Sequence, residues 1–171
     1  MRMANRKYRS VDIFPGGGSA GRFDPHVAGI NYGVLDRLVG YGVRRAQIAI
    51  YDDFIRALAA WDITPPRFSA LTVIDANPDL KLTELAAVLG IARSGAVLLV
   101  DALERMGLVE RRPAPADKRA WGLHLTPQGV TTLSEARQAV LEHDARVTAH
   151  LSSTERQTLL RLLHALAKPD R

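Results

Sequence analysis

The chain has 171 residues, 47% hydrophobic and 24% charged, enough apolar content to bury a core and too much for a disordered chain. Its 23 Lys and Arg against 18 Asp and Glu leave a formal charge of +5, which suits a polyanionic partner. The absence of cysteine excludes a disulfide framework, a thiolate sensor and a Cys-ligated metal. No run approaches the roughly 18 apolar residues of a membrane helix. The basic start (Arg2, Arg6, Lys7, Arg9) leads into Val11-Asp12-Ile13-Phe14-Pro15, too short and broken for a secretory segment, so a cytoplasmic protein without a membrane partner is expected.

Residues 1–29 read as a flexible N-terminal arm, because Gly16-Gly17-Gly18 and two prolines interrupt any helical period. Gly16, Gly18 and Gly21 spell G-x-G-x-x-G. That fingerprint needs a strand before it and a helix after it, whereas Pro15 and Phe23-Asp24-Pro25 flank this one. No dinucleotide cofactor is expected. Residues 30–62 read as an N-terminal dimerisation helix, with Leu35, Leu38, Val39, Ile48, Ile50, Phe54, Ile55 and Leu58 at three- and four-residue steps. About thirty helical residues would reach ~45 Å, more than a small core needs. Apolar residues lie on more than one side, so part of the helix is expected to pack on a second copy. Thr64-Pro65-Pro66 stops it and opens a short helix from Arg67 to Ala76, closed by Asn77-Pro78.

Residues 63–126 read as a compact lobe. Lys81-Leu82 is a very short strand candidate, and Thr83 is placed to cap the next helix with Glu84 in its first turn. Leu85, Ala86 and Leu89 form that helix's inner face, and Gly90 ends it. A second helix runs from Arg93 to Met106 and stops at Gly107. Two short helices joined by a tight glycine turn are the signature of a helix-turn-helix. The apolar period then becomes two. Leu108 to Arg111 and Ala120 to Leu125 read as strands, joined by a tip whose Pro113 and Pro115 should stop the ladder and hold the tip open. Residues 127–168 read as C-terminal dimerisation helices. Thr126-Pro127 opens the first, expected to reach about His150 with Val130, Leu133, Val140, Val147 and Leu151 on one side. Ser152 and Glu155 box the start of the last, packed through Leu159, Leu160, Leu163 and Leu166. The fold class is mainly α with a small β-hairpin wing, a winged helix-turn-helix dimerised through long terminal helices.

Within Thr83–Gly129 a spaced set stands out: Thr83, Leu85-Ala86, Leu89-Gly90-Ile91, Leu103-Glu104, Gly107-Leu108-Val109, Arg111, Asp117, Arg119, Leu123, Leu125-Thr126 and Gly129. In this set the chain resembles the MarR (multiple antibiotic resistance regulator) family of winged-helix repressors. With the flanking helices, the match extends over residues 31 to 168. The physics agrees. A helix 10–12 Å across fits a major groove about 12 Å wide, so the first turn of the second helix, Arg93, Ser94, Gly95 and Ala96, is expected at base edges. Arg111, Arg112, Lys118 and Arg119 cluster around the open wing tip, where Asp117 is the one acid. Arginine entering a minor groove gains from its negative potential. The resemblance implies that Arg119 makes this insertion and that Asp117 orients it.

The chain departs from the family at two points. The family's second helix usually carries a polar or basic residue about where Leu98 stands, and a serine or threonine near Ala92. Here Ala96-Val97-Leu98-Leu99-Val100 is apolar, so direct base readout is expected to be sparse and specificity to rest on the wing, Arg93 and DNA shape. The competing reading is a protein-interaction or ligand-sequestering module on a degenerate winged helix.

The resemblance also implies a small aromatic or anionic effector, held between the dimer helices and the DNA-binding lobe, whose binding releases DNA. Tyr32, Tyr41, Arg44, Arg45, Trp61, Arg67 and Phe68 are the candidates, rings to stack and guanidinium groups to take charge. That combination suits an aromatic carboxylate or an acyl-coenzyme A thioester. The alternative places Trp61 and Phe68 in the core, and Arg44 and Arg45 on a solvated face or in dimer salt bridges. The five histidines, His26, His124, His143, His150 and His164, lack metal-ligand spacing. His143 and His150 are seven residues apart, about 10 Å along one helix. No G-x-S-x-G, P-loop or H-E-x-x-H occurs. The expectation is a dimeric repressor on a pseudo-palindromic operator, released by a small ligand, with no catalytic residue, metal or cofactor.

Overall fold

A computed structural model describes Asp24, residues 26–114 and residues 117–168, apart from the side chains of 114 and 117–120. The glycine run of the arm therefore lies outside the described residues. The chain divides into two units, Met1–Ala46 and Gln47–Arg171.

The expected thirty-residue helix is broken at both ends. Gly33–Arg37 forms a 3₁₀ turn, and Leu38 is extended (φ −96°, ψ 117°). Helix α1 covers only Val39–Ala57, and a second 3₁₀ turn follows at Ala59–Trp61. Local hydrogen bonding explains the first break. The Asn31 carboxamide accepts the Gly33 N–H at 2.8 Å, and Gly33 takes φ +58°, a turn that competes with helix. Asp62, left-handed at φ 52°, ends the second turn.

Within the second unit, helix α2 spans Pro65–Ala76, opening two residues earlier than expected. Its prolines occupy first-turn positions whose N–H groups would have lacked partners anyway. Helix α3 spans Leu82–Leu89. Thr83 is inside it and is not its cap. Lys81 precedes the first turn, and the Glu84 carboxylate reaches back to accept the Lys81 N–H at 2.8 Å. Nor is Lys81-Leu82 a strand. The β-contact falls one residue earlier, where Leu123 donates its N–H to the Leu80 carbonyl at 2.9 Å.

Gly90 closes α3 in the left-handed region at φ +64°, its N–H and that of Ile91 returning to Ala87 and Ala86. Helix α4, Arg93–Arg105, then leaves at 108° to α3. It ends on the same device. Gly107 at φ +71° donates to Glu104, and Leu108 donates to Leu103.

Strands β1 (Val109–Ala114) and β2 (Asp117–Leu125) pair antiparallel, with Val109 opposite Leu125 and Arg111 opposite Leu123. The ladder runs further than expected, because Pro113 sits inside it opposite Trp121 and the register shifts just after, before Ala114. A two-stranded ribbon has two free edges, where proline's missing N–H removes no ladder bond, and a bulge absorbs the shift.

Helix α5, Pro127–Val147, stops three residues short of the expected end, and α6 spans Ser153–Leu166. Ser152 and Glu155 form the expected box, with Ser152 N–H donating to the Glu155 carboxylate at 2.8 Å. Leu58, just after α1, gathers with Leu71, Leu85, Val100, Leu103, Leu123 and Leu133 into one core that reaches from α2 through α5. The α6 leucines do not join it. Leu159, Leu160, Leu163 and Leu166 are 39–61% exposed, so the packing expected through them is not made within this chain.

Candidate nucleic-acid interface

Helix α4 turns Ala96, Val100 and Leu103 into the core. Each residue advances by about 100°, so the opposite face carries Ser94, Leu98, Asp101 and Arg105, spaced four, three and four apart. Arg93 and Ser94 are exposed, as expected of an interface. Ala96 is fully buried and leaves it: four consecutive helical residues cannot all face one way. Leu98 and Arg105, which a residue count along the helix from Ser94 would have found, take its place on the outer face. Ala92 precedes α4 in extended backbone and offers no side-chain acceptor, so the first-turn amides keep the helix's positive end uncapped.

The wing base is fastened to α4 by Arg111. Its guanidinium holds Asp101 at 2.7 Å and also hydrogen-bonds Glu104. Arg111 thus points back at the helix and discharges a carboxylate on the outer stripe, an arrangement no local pattern reveals. Arg112 pairs with Glu110 beside it. Arg105 donates through Nε to the Asp101 carbonyl at 3.2 Å. The backbones of Asp117, Lys118 and Arg119 belong to β2, but their side chains lie outside the described residues. Trp121, 56% exposed opposite Pro113, adds an apolar patch to the wing that the sequence reading did not mark. His124 donates through Nε2 to the Asp79 carboxylate at 2.9 Å, and Asp79 holds φ +60° just before Leu80.

The effector candidates separate by unit. In the first, the Arg45 guanidinium stands 5.0 Å from the Tyr32 ring centre and 5.4 Å from that of Tyr41, with Asp36 at 3.5 Å. Arg44 is exposed. In the second, Trp61 and Phe68 lean on the core, and the Trp61 indole N–H donates to Glu135 at 2.9 Å. Arg67 is held by the Asp62 carboxylate at 2.7 Å. Sequence reasoning also passed over an ion cluster on α1 and α5. Buried His143 meets Asp53 at 2.8 Å, its ring T-shaped to that of Phe54, and Arg146 meets the same carboxylate at 3.1 Å. The His143 hydrogen bond, outweighing desolvation and reinforced by Arg146, holds the Asp53 carboxyl below its usual value of 3.8. Among the described residues no three His, Asp or Glu side chains are grouped to hold a metal ion. No single described helix is long and apolar enough to cross a membrane.

Two helices meeting through a glycine turn, followed by a two-stranded wing that is tied to the second of them, define a winged helix-turn-helix. Comparison with known proteins narrows the class. A family model described as "MarR family" matches residues 61–120. A proposed transcriptional regulatory protein for the hcr operon of Thauera aromatica is 37% identical over 145 residues, covering 84% of this chain and 87% of that protein. The solved structure of the transcriptional repressor CouR bound to a 23-mer DNA duplex is similar with a TM-score of 0.77 and 39% identity, across 81% of this chain and 99% of that one. CouR bound to p-coumaroyl-CoA gives a TM-score of 0.76 at 37% identity, across 82% and 99%. The chain belongs to the MarR family of transcriptional regulators.

Proposed function

We propose that the protein is a cytoplasmic, dimeric repressor that binds a pseudo-palindromic operator and leaves it on binding an aromatic acyl-coenzyme A thioester or a related aromatic anion. The observation that carries this reading is the outer face of α4. An uncapped helix start with Arg93 and Ser94 exposed sits beside a wing that Arg111 fastens in place. Free first-turn amides and arginines bind phosphate, and a helix face of this width enters a major groove. Lys118 and Arg119 at the wing tip are assigned to the neighbouring minor groove, with Asp117 orienting Arg119. CouR, in its DNA-bound form, supports the same use of the fold.

Dimerisation is assigned to residues 30–62 and 127–168, and DNA binding to residues 63–126. The exposed leucines of α6 support the C-terminal part of this division. For the effector, the Arg45–Tyr32–Tyr41 cluster offers a cation beside two rings, the chemistry that an aromatic thioester with phosphate groups calls for. The p-coumaroyl-CoA bound to CouR supports that class. Fluorescence anisotropy on duplexes flanking the gene tests the reading. Expected is specific binding that weakens about 10³–10⁵-fold between roughly 50 and 200 mM salt, given six to ten phosphate contacts, and reversal by p-coumaroyl-CoA. Thioester binding without any duplex binding would favour the sequestering module instead.

A further inference from the structure

Leu98 is the one large side chain on the outer face of α4 that hydrogen bonding does not explain. It is 69% exposed, although the rest of the Ala96–Val100 run turns wholly or partly inward. Gly95 precedes it by three residues and Ala102 follows it by four, so both small residues flank it on the helix surface. A β-carbon at Gly95 would meet the Ile91 side chain at 3.8 Å, ordinary contact, so that flank is low and lined by Ile91. Leucine therefore stands as a lone knob between low shoulders. On its other side, a shallow depression is bordered by Leu98, Asp101, Glu104 and Arg105. Arg111 bridges the two acids there and offsets one of their two charges.

The helix ends supply the setting. Arg93 and Arg105 stand at the two ends of α4, about 18 Å apart along the axis, with Arg105 on the Leu98 stripe and Arg93 about 120° round from it. With the outer face of α4 turned to the major groove, an exposed leucine at the middle of that face meets the groove floor. In the major groove the apolar feature of that floor is the 5-methyl group of thymine. Resting on the DNA-binding reading above, we propose that Leu98 is a specificity-determining residue that reads a thymine methyl in each half-site. The apolar run of α4 is thus a form of base readout by shape and desolvation, not an absence of readout.

The test uses the full-length protein and the duplex it selects from a random-sequence pool. Thymines are replaced one at a time by deoxyuridine, which deletes the methyl and keeps every hydrogen-bonding group. At one thymine per half-site the wild-type protein is expected to lose about fourfold in affinity, the worth of one buried methyl. 5-Bromodeoxyuridine, whose bromine matches the methyl in size, should restore it. Leu98→Ala should bind the thymine duplex about as weakly as wild type binds the uracil duplex, and be indifferent to the replacement. Wild-type binding that ignores every uracil, or an L98A protein still as sensitive as wild type, overturns the assignment. If the wild-type protein selects no duplex at all, the DNA-binding reading itself falls, a different result from methyl-blind binding.

Discussion

Gly129 stands where a β-carbon would come within 2.0 Å of the Leu108 carbonyl oxygen. No rotamer relieves such a contact, because the clash is with backbone. Gly129→Ala should therefore destabilise the fold by about 3 kcal/mol or more, read as a lower urea midpoint. Asp53 makes a different demand. Its carboxyl titrates below 3.8, chiefly through the His143 hydrogen bond, so the stability it contributes is complete above 3.8 and lost as pH falls through the lower folded-state value. Asp53→Asn should be less stable than wild type at neutral pH, with the gap narrowing in denaturant melts carried below pH 3.8. At the wing tip, Arg119→Ala should weaken operator binding at least about tenfold, if the minor groove contact is worth ~1.4 kcal/mol or more. Unchanged affinity in a salt-matched gel shift, with the dimer intact, would remove Arg119 from the proposed contact.

At the scale of elements, the clasp between Arg111 and the pair Asp101–Glu104 sets both wing orientation and the charge of the outer α4 face. Arg111→Ala leaves two carboxylates three residues apart facing a polyanion. We expect roughly tenfold weaker DNA binding and faster amide exchange in β1, with α3 protection unchanged; adding Asp101→Asn should recover part of the affinity. This clasp was invisible in the sequence because its partners lie seven and ten residues away on another element. The helix ends at Gly90 and Gly107 were legible, since a left-handed closing residue has a strong local preference for glycine. Thr83 misled for the opposite reason: several polar residues near a helix start can cap it, and here Glu84 bonded to the Lys81 amide settled the first turn. Pro113 misled because a rule about sheet interiors was applied to a ribbon that has only edges. Among the proposed DNA contacts, Arg93 and Ser94 were readable from position in the motif, whereas Leu98 needed the helical phase fixed by the buried Ala96 and Val100.

For the whole molecule, α6 presents Leu159, Leu160, Leu162, Leu163 and Leu166 to solvent, more apolar surface than a lone two-turn stretch ordinarily exposes. The proposal that a second copy covers it leads to a direct expectation. Leu160→Glu with Leu163→Glu should sediment as a monomer, and its binding to a full operator should fall to that of an isolated half-site. The mainly helical winged class was legible in the sequence through the switch from a 3.6-residue to a two-residue period after Gly107. The extent of the first helix was not, because Asn31 and Gly33 redirect the chain by local hydrogen bonding that apolar spacing does not register. Thr126 closes the base of the wing: its hydroxyl donates to the Gly107 carbonyl at 2.6 Å and accepts the Gly129 N–H at 2.9 Å, while its own N–H donates to Leu108. With both ends of the hairpin tied at one stem, a substitution far along the ribbon from Thr126 leaves the junctions of α4 and α5 with the wing in place. The stem thereby separates two tasks: it holds the junctions of α4 and α5 with the wing, and it leaves the far end of the ribbon free of that duty.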